Sequence, residues 1–147
     1  MSRLIDFLVR PSKALRVAAL LAAILLFGLL FVLGIASAGR GWLPGNTDKL
    51  AHFSYYFAIA ASVWIAVGGR RWRAALWALI AVALIGMLDE TVQMWTPGRT
   101  PSVYDWLADV AGAACAVLLL GRLRALAVRR SRPTDISEHS QTASRII

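Results

Sequence analysis

Charge is scarce in this chain. Only 16% of its 147 residues are Asp, Glu, Lys or Arg, while 59% are hydrophobic. With a mean hydropathy of +0.63, that shortage excludes an ordinary soluble domain and points to a polytopic membrane protein. Cysteine is scarcer still. The lone Cys115 lies in an apolar run, which excludes an intramolecular disulfide and argues against a cysteine-based zinc site. There is no internal repeat and no low-complexity tract. Acidic residues number 8 against 16 basic ones. The resulting net charge of +8 would suggest a nucleic-acid partner in a polar chain. Here the basic residues follow membrane topology instead, and no nucleic acid is expected.

Four apolar stretches predict four helices, at Ala14–Ser37, Asp48–Val67, Arg73–Met94 and Ser102–Gly121. Each is close to the ~20 residues that cross ~30 Å of hydrocarbon. The second and fourth carry polar residues in their first turns, so their signal is weaker. The expectation is an all-α, integral membrane four-helix bundle spanning residues 14–121. Residues 1–13, with Leu4, Ile5, Phe7, Leu8 and Val9 before Pro11, read as a short interfacial segment. Residues 122–147 read as a basic tail, polar and disordered from Arg129 onward. Ala36-Ser37-Ala38 resembles a signal-peptidase site. The apolar run from Val17 to Ile35 exceeds the ~7–15 residues of a signal-peptide core, so the first helix is read as uncleaved. Trp42, Trp72, Trp95 and Trp106 fall near predicted helix ends, as an aromatic belt requires.

The basic residues set the expected orientation. Four precede the first apolar run, three (Arg70, Arg71, Arg73) occupy the second turn and six follow Gly121, leaving only Arg40, Lys49 and Arg99 on the other side. By the positive-inside rule both termini are cytoplasmic, in a bacterial cytoplasmic membrane.

The acids then become informative. Asp48, Asp89, Glu90, Asp105 and Asp109, together with Lys49, His52, Gln93 and Arg99, all fall toward the outer ends of the helices. A charge at mid-membrane costs roughly 2.5–3.5 kcal/mol on insertion scales, so such a group implies a site. Asp109 stands 13 residues before Arg122, or ~20 Å along a helix, still within the hydrocarbon. Glu90 and His52 lie ~25 Å from the inner boundary. Spacings of three and four place Asp105, Asp109, Gly112 and Ala116 on one face. They do the same for Gly86, Glu90 and Gln93, and for His52, Tyr55 and Tyr56. Turned inward, these stripes form a pocket open to the outside. The candidate ligand-binding set is Asp48, Lys49, His52, Tyr56, Glu90, Gln93, Arg99, Asp105 and Asp109.

Each residue also has a plainer reading. Asp48 serves as the N-cap of the second helix. Ser102 and Asp105 form a capping box, which is compatible with a second role. Asp89 faces the aqueous boundary, Lys49 snorkels to the interface, and Tyr55 and Tyr56 are packing residues. Gln93 is an ordinary interhelical hydrogen-bonder, and His52, Glu90 and Asp109 form a structural clamp.

Asp48-Lys49-Leu50-Ala51-His52-Phe53 with Tyr56, then Glu90-Thr91-Val92-Gln93, then Arg99-Thr100-Pro101-Ser102-Val103-Tyr104-Asp105 leading into Leu107–Gly112, resemble the VanZ-like family of small bacterial membrane proteins. The resemblance covers Asp48–Gly121. The family often carries Asn where this chain has Asp109, which adds a negative charge here. The resemblance implies a cell-envelope membrane protein associated with teicoplanin resistance, and carries no catalytic mechanism with it. Two readings of the site follow. In the first it belongs to an accessory or binding protein that engages a lipid-linked envelope precursor or another membrane protein. Lys49 and Arg99 would then meet phosphate or carboxylate. In the second it is an intramembrane enzyme, with catalytic candidates His52, Glu90, Asp105 and Asp109. His52 and Glu90 would be acid/base partners, and the two aspartates would orient them or hold a divalent ion. No His-x-x-x-His or Cys pair specifies zinc, so neither a metal nor a cofactor is assigned. Ser54 and Ser102 lack a nucleophile-elbow context.

Overall fold

A computed structural model of the chain describes residues 10–36, 47–68 and 72–130. It contains four helices, α1 (Lys13–Ala36), α2 (Thr47–Ala66), α3 (Trp72–Gln93) and α4 (Val103–Arg130), and no strand among the described residues. The fold is all-α, as the apolar pattern predicts. The interfacial segment and Trp42 lie outside the described residues.

Local chemistry sets the helix ends. After Pro11, the Ser12 hydroxyl accepts the Leu15 N–H at 3.2 Å and caps α1. At the end of α2, Gly68 takes a positive φ of 84°, and the Arg16 guanidinium donates to the Ala66 carbonyl at 2.9 Å. A cation from α1 thus satisfies a free carbonyl at the C-terminus of its neighbour. Beyond α3, Thr96-Pro97-Gly98-Arg99 closes with Arg99 N–H donating to Thr96 O at 3.1 Å, and Gly98 has φ 79°. Proline followed by a positive-φ glycine is the signature of a type II turn.

The expected boundaries of the first three helices hold to within one residue. The fourth does not stop at Gly121 but runs on to Arg130. Gly121 keeps a helical backbone, since only Gly68 and Gly98 take positive φ among the described residues. The following residues, rich in Leu, Ala and Arg, are good helix formers. At 28 residues α4 is ~42 Å long and outreaches the hydrocarbon layer. The first part of the expected tail, residues 122–130, is therefore helical, and residues 131–147 lie outside the described residues.

Three helices, α1, α3 and α4, are long and apolar enough to cross a membrane. The fourth, α2, carries Thr47, Asp48, Lys49 and His52 in its first two turns and falls short on composition. It is also the central element, packing against each of the other three. Large apolar side chains on the outer helices, such as Leu25, Trp77, Leu84 and Leu118, point away from the bundle, as lipid-facing residues do. The chain is a membrane protein, and among its described helices the one that falls short of a crossing is the one that packs against all the others.

The core lies on the α2–α4 contact. Tyr56, Ile59, Ala60, Val82, Ala113 and Ala116 form one buried cluster, and Trp64, Ala78 and Val117 a second. Helix approach is tightest at Gly112, where an added Cβ would overlap the backbone of Phe53. Small residues at such a crossing let two backbones meet. That contact is what brings His52 of α2 beside Asp109 of α4.

Candidate functional site

Six polar or charged side chains are buried at one end of the bundle: His52, Asp89, Glu90, Gln93, Asp105 and Asp109. Asp109 is wholly inaccessible, and its Oδ1 lies 2.9 Å from Nδ1 of His52. An ionised carboxylate only accepts, so this pairing keeps a proton on Nδ1, and in the neutral imidazole it leaves the lone pair on Nε2. Nε2 faces Asp48, whose Oδ1 stands 4.0 Å away. Room for the Asp109 carboxylate comes from α3, because a Cβ at Gly86 would sit 2.8 Å from Oδ2. Just beneath, the Trp106 indole donates to the Ala83 carbonyl at 3.0 Å and ties α4 to α3.

A second set of contacts joins the helix ends. Lys49 Nζ meets Asp105 Oδ1 at 2.8 Å, with the lysine side chain 41% exposed and the aspartate 7%. Gln93 donates to Asp89 Oδ2 at 3.1 Å and to Glu90 Oε1 at 3.3 Å, bridging two neighbouring carboxylates. Glu90 Oε2 accepts the backbone N–H of Ser102 at 2.6 Å. This last bond reassigns the expected capping box. The Ser102 hydroxyl does receive the Asp105 N–H, at 3.4 Å. The reciprocal acceptor is Glu90 from α3, which releases the Asp105 carboxylate to pair with Lys49.

The layer gathers Asp48, Lys49, His52, Glu90, Gln93, Asp105 and Asp109. Tyr56 lies one turn deeper, its ring stacked on His52 at 6.4 Å and 9°. Arg99 is half-buried in the loop between α3 and α4 and within electrostatic reach of Asp89.

Several individual readings change. Asp89 does not face the aqueous boundary; it is 4% exposed and bonded to Gln93. Its position three residues after Gly86 and four before Gln93 was the available signal, since both fall on the buried face. Tyr55 leaves the His52 face and donates its hydroxyl to the Leu26 carbonyl of α1. Asp48 lies in the first turn of α2 rather than at its cap, where a negative charge still favours the helix dipole. Lys49 spans to Asp105 instead of only snorkelling. Trp72 and Trp95 are exposed, as a belt requires, whereas Trp106 turns partly inward.

Two overlapping groups place potential ligand atoms within 4.8 Å of one another: Asp48, His52 and Asp105, and His52, Asp89 and Glu90. Two buried oxygens in this region, Asp109 Oδ2 and the Tyr56 hydroxyl, have no hydrogen-bond partner among the described residues.

No curated protein and no solved structure matches the chain. The sequence profile of the VanZ/LLP1 family matches residues 35–124, a span that takes in α2, α3, the loop between α3 and α4, and α4 as far as Arg124. Every residue of the polar layer falls inside it. The match covers well over half of the 147 residues, and the chain therefore belongs to the VanZ/LLP1 family, with the cell-envelope and glycopeptide-resistance association that this membership carries at family level.

Proposed function

We propose that this is an accessory or binding protein of the bacterial cytoplasmic membrane, with both termini cytoplasmic and the polar layer open to the extracytoplasmic side. Its ligand is a lipid-linked envelope component. The single observation that carries this reading is the convergence of three helices on one buried polar layer, with the half-exposed Lys49 at its rim. The opposite end of the bundle holds Arg16, Arg73 and Arg122, in keeping with a cytoplasmic face. Between the two ends the core is apolar, which supports a one-sided pocket over a path through the membrane. Purified protein in lipid nanodiscs, presented with a panel of envelope lipid intermediates, tests the reading by following both bound and altered lipid. Binding without alteration is expected. A reporter active only outside the cytoplasm, fused after Ile147, is expected to stay silent; strong activity there reverses the sidedness.

The His52–Asp109 pair favours one second reading, an intramembrane hydrolase or transferase. A histidine whose Nδ1 is held by a buried carboxylate presents Nε2 as a base. Glu90 is already engaged by Ser102 and Gln93, so Asp109, not Glu90, is the orienting partner in this version. Altered lipid with the native protein and none with His52→Gln is the outcome that selects it.

A further inference from the structure

Five carboxylates and two permanent cations, Lys49 and Arg99, meet at the outer end of the bundle. One cation is committed to Asp105 and the other lies within electrostatic reach of Asp89, so two fixed positive charges face five acids. Four of the five acids are buried, and burying like charges together is costly unless a cation joins them. Hydrogen bonds inside the layer do not balance it, because Gln93 and the Ser102 N–H supply dipoles but no charge.

We propose that His52 Nε2, Asp89 and Glu90 bind one divalent cation, of the class that accepts one imidazole with carboxylates, such as Zn²⁺ or Mn²⁺. The three residues are all buried, and one donor atom of each, a ring nitrogen in the case of His52, lies within 4.8 Å of the others. Three ligands held at ~2.0–2.2 Å from one ion stand roughly 3.3–3.8 Å from one another, so side-chain adjustment of up to about 1 Å completes the set. Each carboxylate oxygen that accepts from Gln93 or Ser102 keeps a second lone pair for the ion. Asp109 is a positioning residue. By accepting from Nδ1 it fixes the tautomer in which Nε2 is free to coordinate, the arrangement that accompanies metal-bound histidines. His52 belongs to both donor groups, so the layer holds one ion, with Asp48 and Asp105 on its open side.

An independent observation points to an occupant. The Tyr56 hydroxyl is wholly buried, has no hydrogen-bond partner among the described residues and lies within electrostatic reach of Asp109, Asp89 and Glu90. Buried hydroxyls are almost always hydrogen-bonded. A water or oxyanion carried by the ion gives this one an acceptor. The same ion gives an acidic layer the electropositive centre that a phosphate oxygen needs, a consequence that rests on the binding reading above.

The test uses the full chain in nanodiscs, stripped with chelator, dialysed against Zn²⁺ or Mn²⁺ and assayed for bound ion by elemental analysis. One ion per chain is expected. His52→Ala is expected to weaken uptake at least 100-fold, and Asp109→Asn by about 10–100-fold. Helical circular dichroism identifies variants that fail to fold, and the native protein alone decides the first point. No uptake by the native protein overturns the proposal, as does unchanged uptake by folded His52→Ala. A second arm adds a polyprenyl diphosphate with and without the ion. Lipid binding by protein that takes up no ion overturns the cation site and leaves the proposed binding function standing. Ion uptake with no lipid binding supports the cation site and overturns the binding function.

Discussion

At the level of Asp109, α2 and α4 meet through a buried 2.9 Å contact to His52. One to two turns further in, the same helices meet through Ala113 and Ala116, clustered with Ile59 and Ala60. The outer contact is directional and fails when one partner is missing. The inner contact is a matter of shape, and it tolerates changes that preserve volume. The small residues hold the helices close, and the polar residues exploit that closeness. Function is expected to reside in the half whose stability depends on individual atoms.

The comparison can be broken at its joint. Gly112 separates the two halves and leaves no room for a side chain against the Phe53 backbone. Gly112→Val is expected to be the most damaging single change, costing at least about 3 kcal/mol and disrupting both halves. Thermal unfolding in detergent measures it, and a near-native melting profile would show that the close approach is dispensable.

Next comes the outer half alone. Asp109→Ala leaves His52 buried without its partner and is expected to cost ~3–5 kcal/mol. Ile59→Val, in the inner cluster, is expected to cost only ~0.5–1.5 kcal/mol. Equal losses from the two would erase the distinction between directional and shape-based contacts. Lys49→Met removes a half-exposed cation and leaves Asp105 buried without it, so it is expected to cost more than the loss of an exposed pair but less than Asp109→Ala. The smallest effect belongs to Gly121, where a Cβ meets nothing within 4 Å. Gly121→Ala is expected to stabilise α4 by roughly 0.5–1 kcal/mol. Any destabilisation at that position would point to a partner outside the described residues.

Hydropathy made the helices legible, because each apolar run has the length lipid demands. The three- and four-residue spacing of Asp105, Asp109 and Gly112 likewise revealed the inward stripe of α4. Pairing was not legible. His52 and Asp109 are 57 residues apart, and only the α2–α4 crossing decides that they meet each other instead of Glu90. Tyr55 and Tyr56 are adjacent on α2 yet turn to different neighbours, since periodicity gives a face its angle but not the helix it meets. The length of α4 was not legible because glycine and arginine together look like a terminus, although neither breaks a helix with leucine and alanine on both sides.

The distance along the chain between His52 and Asp109 also sets an order of events during synthesis. At about 5–20 residues per second, Asp109 leaves the ribosome ~3–11 s after His52. During that interval α2, the one helix that falls short of a crossing on composition, has neither the carboxylate that satisfies its histidine nor the small-residue face of α4 against which it packs. Until the last helix arrives His52 lacks that partner, so the buried pair closes only once α4 packs.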